Sequence, residues 1–85
     1  MATRKTFINV IAEFTASGRL EPLSIILYDG RTYPVDEIIG VQKAANMKVG
    51  GAGVRYVCRI AGGQRSLWRE EDRWFVEEEV QEDIG

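Results

Sequence analysis

Residues 54–61 read VRYVCRIA. Val54, Tyr56, Cys58 and Ile60 share one parity, and Arg55, Val57 and Arg59 share the other. Side chains of a strand alternate between its two faces, so this stretch predicts a β-strand with an apolar face and a largely cationic one. Residues 6–15, TFINVIAEFT, repeat the pattern, with Ile8, Val10, Ala12 and Phe14 together and Asn9, Glu13 and Thr15 opposite. Phe7 and Ile11 fall among the polar set, so the outer face of that strand is mixed. Ser17-Gly18-Arg19 supplies a turn before a second strand over 23–29, LSIILYD.

Asp29-Gly30 is a pair that favours a two-residue type I′ hairpin, because glycine accepts positive φ. Arg31 to Val35 is then a short return strand, and Pro34, lacking an amide donor, belongs at an edge or at the strand's end. Residues 36–47 carry helix formers and a possible Asp36 cap, yet Gly40 interrupts them and Ile38, Ile39 and Val41 favour a strand. The β-branched residues predict a strand. Gly62-Gly63 marks a turn, and 65–71 and 73–79 read as a last hairpin about Glu71-Asp72. Strands recurring at about ten-residue spacing with glycine turns predict an all-β fold, a small antiparallel meander curled into a closed or nearly closed barrel of about five to seven strands.

A chain of 85 residues with 45% hydrophobic and 28% charged residues fits one globular domain. Residues 1–85 are expected to form a single β domain with its ordered core over 7–79, between a short N-terminal tail and an acidic C-terminal one. The expected core is Val10, Phe14, Leu27, Val54, Tyr56, Cys58, Ile60 and Val76, and truncating Phe14 is expected to cost about 3 kcal/mol. No window has the length and apolarity of a membrane span or a signal core, so the expected address is the cytoplasm.

The net charge of −2 conceals an asymmetry. Residues 1–69 hold ten Lys/Arg against five Asp/Glu, whereas 70–85 hold Arg73 against eight acids. The body is basic and the end is acidic. If the body binds a polyanion, removing residues 77–85 is expected to strengthen that binding.

Chemistry finds few footholds. There is no histidine, which removes the commonest general base near neutral pH and the commonest metal ligand. Ser17, Ser24 and Ser66 have no histidine to activate them. Asp36-Glu37 and Glu77-Glu78-Glu79 are adjacent on strands, where neighbours point to opposite faces. The single Cys58 excludes an intrachain disulfide and reads as a small buried hydrophobe. Gly50-Gly51-Ala52-Gly53 lacks the Gly-Lys-Ser/Thr ending of a phosphate loop, and a turn or bulge is the favoured reading. The expectation is a protein without catalytic residues, cofactor or metal.

Binding has better material. Tyr28, Tyr33, Tyr56, Trp68, Trp74 and Phe75 accompany Arg31, Arg55, Arg59, Arg65, Arg69 and Arg73. Small barrels that hold single strands set stacking aromatics on a basic face, although a thin core claims most large aromatics for itself. Trp74 and Phe75 are neighbours, so one faces in and the other out. The candidate binding residues are Arg55, Arg59, Arg65 and Arg69.

Ser17-Gly18-Arg19, the run from Tyr28 to Asp36 (YDGRTYPVD), Gly53-Val54-Arg55-Tyr56 and Arg73-Trp74-Phe75-Val76-Glu77 together resemble small uncharacterised proteins of Gram-positive bacteria. Their order is also similar to a domain of unknown function found beside or within Y-family-like DNA-damage polymerase subunits. The resemblance implies a compact bacterial β domain and no reaction. The function expected is that of an interaction module for a macromolecular partner, a protein first of all. The alternatives are an accessory factor for single-stranded nucleic acid, or a structural or regulatory homodimer built through a strand edge near Pro34.

Overall fold

The computed structural model of the protein describes residues 2–44 and 53–80. They form six strands and no helix: β1 (Ala2–Phe14), β2 (Leu20–Ile26), β3 (Thr32–Ala44), β4 (Gly53–Ile60), β5 (Gly63–Glu70) and β6 (Arg73–Val80). Each strand pairs antiparallel with the next, and β1 pairs with β6, closing the barrel expected from the sequence. The stretch weighed between helix and strand continues β3 as far as Ala44, so the short return strand, which begins at Thr32, and its successor are one strand. The rest of that stretch and Gly50 to Ala52 lie outside the described residues.

Two long strands each serve two partners. β1 pairs with β6 from Ala2 to Ile8 and with β2 from Asn9 to Phe14. β3 pairs with β2 through Pro34 and with β4 from Val35 onward. Pro34 stands on the last rung of the β2–β3 ladder, yet it is not at the end of its strand as expected, because β3 continues past it to pair with β4. Its missing amide coincides with the change of partner. Bulges at Leu23 in β2 and at Asp36 and Ile39 in β3 supply the bend, since an extra residue kinks a strand and increases its twist. They also reset the parity: Val35 and Ile38 both pack against the core, three positions apart.

The hairpin turns differ in detail from their sequence signals. Leu27 N–H donates to Arg31 O at 2.8 Å and Gly30 N–H to Leu27 O at 2.9 Å, with positive φ at Gly30 (89°) and not at Asp29. This is a three-residue loop with glycine in the left-handed position, not a two-residue type I′ turn. Asp29 instead accepts from the Arg31 backbone N–H (3.1 Å) and from its Nε (2.6 Å). These contacts, the backbone bond foremost, hold its carboxyl below the ordinary value. The β4–β5 turn is Ala61-Gly62 rather than Gly62-Gly63, with φ of 52° and 80°.

The interior holds Ile25, Tyr56, Cys58, Ile60, Leu67 and Trp74. Val10, Leu27, Val54 and Val76 pack against them half-buried, as their parity predicts. Phe14 contradicts its expected burial: its side chain is 77% exposed. It has the parity of Ile8, Val10 and Ala12, but it sits opposite Leu20 at the last rung of β1, where the barrel has ended. Ordered strand also reaches beyond the expected 7–79, because residues 2–6 are no tail but pair with 76–80, Lys5 opposite Glu77 and Arg4 opposite Glu78. Phe75 is fully buried although it faces outward, opposite Phe7 and Trp68. Phe75→Ala should therefore lower unfolding stability by about 3–5 kcal/mol, while Phe14→Ala should change it by about 0.5 kcal/mol or less. Urea midpoints of the two variants provide the comparison.

Candidate interaction surface and seams

Directly opposed residues of an antiparallel pair point to the same side of the sheet. Tyr56 lies opposite Leu67 and both are buried, which fixes the inner face of β4 and β5. Arg55 opposite Trp68, Val57 opposite Ser66 and Arg59 opposite Gln64 then point outward. Arg65 lies opposite Cys58 and Arg69 opposite Val54, on the inner parity. The four candidate arginines are thus split between two sides of one hairpin. Arg55 and Arg59 share a face with each other but not with Arg65 and Arg69.

Each arginine has its own local engagement. Arg55 Nε donates to Ser66 Oγ at 2.9 Å, and its guanidinium lies 5.6 Å from the centroid of the Trp68 ring. Arg59 Nε faces Glu37 Oε1 at 3.5 Å, both side chains largely in water, so that pair contributes little to stability. Arg69 donates to the Glu71 carbonyl at 2.7 Å. Arg65 is exposed and makes no ion pair among the described residues.

The outward aromatic sought from the sequence is present, and it is more than one ring. Trp74 enters the core and Phe75 turns outward, as their adjacency requires. Trp68 stacks on Phe75 at 6.1 Å with planes 6° apart, and Phe7 meets Phe75 edge-on at 5.7 Å. Each ring carries a cation: Arg55 on Trp68, Lys5 on Phe75 at 5.0 Å, and Arg73 on Phe7 at 3.6 Å. Lys5 Nζ also donates to both oxygens of Glu70, at 2.9 and 3.1 Å, spanning β6 from β1 to β5. This bridge, with Phe7 and Trp68 on either side, keeps water from a ring on the outside of a barrel. Nothing local in the sequence points to Lys5 and Phe7, because only the pairing of β1 beside β6 brings them here.

Two seams open where ladders stop short. The β2–β3 ladder ends at Ser24↔Pro34, and beyond it a hollow of about 400 Å³ lies among Leu20, Glu21, Ile38, Gly40, Val41 and Tyr56. Tyr56 spans it, its hydroxyl donating to the Leu20 carbonyl at 2.7 Å. The β5–β6 ladder ends at Trp68↔Phe75, leaving residues 63–67 and 76–80 unpaired with each other. There a cavity of about 610 Å³ has Ile25, Leu27, Tyr33, Ile60 and Val76 among its apolar walls and Gln64, Arg65, Ser66, Glu77 and Glu78 among its polar ones.

Among the described residues no group of three or more His, Cys, Asp and Glu side chains comes together as metal ligands would, and no helix is long and apolar enough to cross a membrane. Searches of protein-family models, curated proteins and solved structures found no match to this chain. Cys58 is fully buried, and burial pushes its thiol pKa up. The thiolate is the reactive form, so both effects slow its chemistry. Labelling of native protein by a thiol-specific disulfide reagent at mildly alkaline pH should run at least about tenfold slower than in urea. Equal rates would place Cys58 at the surface.

Proposed function

We propose that the chain is a non-enzymatic interaction module that holds a partner protein on the outer face of β4, β5, β6 and β1. The observation that carries this reading is the run of Trp68, Phe75 and Phe7 outside the barrel, each under a cation. Tryptophan and arginine dominate the energetic centres of protein interfaces. Here Arg55, Arg59 and Arg73 sit with the rings on one surface, flanked by Glu37 and Glu70. Mixed charge of that kind suits a protein surface. A polyanion prefers an unbroken basic one.

Single-stranded nucleic acid fits less well. Base stacking needs an open ring face, but Phe75 is buried and Trp68 already contacts Phe75 and Arg55. Of the three rings on that face Phe7 alone is substantially exposed, and Arg73 lies against it. Deleting residues 77–85 is no longer a clean probe of charge either, because 77–80 pair with β1 and their loss would break that ladder. The resemblance to small Gram-positive proteins and the single cysteine support a bacterial cytoplasmic setting.

A photo-crosslinking residue at Gln64, exposed and opposite Arg59, tests the reading in extracts of cells that make the protein. A discrete adduct is expected that resists nuclease, disappears with protease, and is lost when Arg59→Glu and Arg73→Glu are added to a variant that still melts normally. A nuclease-sensitive adduct would transfer the reading to nucleic acid. An adduct indifferent to the two reversals would overturn the surface.

A further inference from the structure

The unclosed β5–β6 seam adjoins the aromatic face, and Trp68 and Ser66 line both. It differs from the β2–β3 seam, where the Tyr56 hydroxyl already answers a carbonyl of the β2 edge. Between residues 63–67 and 76–80 no ladder forms, and none of the side-chain hydrogen bonds among the described residues spans the two edges. Backbone donors and acceptors at such an edge are a template for another strand. The cavity volume of about 610 Å³ falls within the range that ligand sites occupy, about 300–1,000 Å³.

The walls specify what would fit. Continuing the ladder beyond Trp68↔Phe75 would set Leu67 against Val76 on the inner side and Ser66 against Glu77 on the outer side. An inserted strand would therefore send one side chain inward to Ile25, Leu27, Tyr33, Ile60 and Val76, and the next outward beside Glu77. Glu77 is half-buried and makes no ion pair among the described residues, since Lys5, across the rung from it, is held by Glu70; Glu77 is thus open to a further cation. Glu78 adds a second carboxylate to the same wall, shared at 3.5 Å with a well-exposed Arg4. Trp68 also lines the seam, and among the described residues its buried indole N–H has no acceptor, as the buried Arg69 Nε has none. Native proteins leave few such donors unsatisfied.

We propose that the β5–β6 seam accepts an extended segment of a partner protein as an added strand, with an apolar residue directed into the barrel and a neighbouring Lys or Arg paired with Glu77. The proposal rests on the reading of the chain as a protein-binding module and names the chemistry of its partner. Because β5 and β6 run antiparallel, the added strand is antiparallel to one wall and parallel to the other.

Selection of the full chain against a displayed library of random peptides about eight residues long tests it. The recovered sequences should alternate apolar residues with Lys or Arg. Added to isotope-labelled protein, they should shift the backbone amides of residues 63–67 and 76–80 far more than those of Arg59 or Arg73. Glu77→Lys should weaken binding about tenfold or more, and Glu77→Gln by less, with the melting temperature of each reported alongside. N-methylation of alternate peptide bonds on the ladder side should abolish binding. Acidic or helical winners, or insensitivity to Glu77→Lys and to N-methylation, would overturn the proposal. So would concentration-dependent shifts of the same amides without peptide, which would make the occupant a second copy. Shifts confined to Phe7, Arg59, Trp68 and Arg73 would overturn the seam while leaving the outer face as the interaction surface.

Discussion

The architecture depends on β1 changing partners between Ile8 and Asn9. Up to Ile8 its hydrogen bonds go to β6, and from Asn9 they go to β2. One strand thus belongs to two sheets, and the chain closes on itself without a seventh strand. β3 makes the matching change between Pro34 and Val35. Closure by shared strands requires bending, which the bulges at Leu23, Asp36 and Ile39 provide. The β2–β3 and β5–β6 ladders have three rungs each, and the two seams lie where those ladders stop.

Burial on both sides of β6 has a chemical logic. Trp74 fills the interior while Phe75, its neighbour, is covered from outside by Phe7, Trp68 and the Lys5–Glu70 bridge. The bridge is mostly shielded from water, its side chains 19% and 25% exposed, and it stands over an aromatic face. A shielded pair of this sort owes its value to good geometry, and breaking one partner costs more than the pair contributes. Here two hydrogen bonds to one carboxylate supply that geometry. The outer face is consequently held in one arrangement, which under the proposed reading would lower the entropy cost of association.

Parity within strands was legible in the sequence. The inward set of β4 (Tyr56, Cys58 and Ile60) and the outward Arg55 and Arg59 follow from alternation alone. What alternation cannot give is where a strand leaves the barrel or where a bulge shifts its phase. Phe14 kept its parity and lost its burial because β1 runs past the last interior layer. Arg65 and Arg69 were grouped with Arg55 and Arg59 by composition, whereas the rungs of the β4–β5 ladder place them on the other side. Lys5 and Glu70 are separated by 65 positions, and only the β1–β6 pairing brings them together. Nothing local in either segment announces that contact.

The shared use of β1 is open to direct measurement by nuclear Overhauser effects between backbone protons. Contacts from Phe7 to Phe75 and from Val10 to Ile25 should appear in one monomeric species, with none carrying the β6 ladder past Ile8. A β1 whose residues beyond Asn9 continue alongside the β5–β6 turn, or whose first residues show no contact to β6, would contradict the closure and with it both seams.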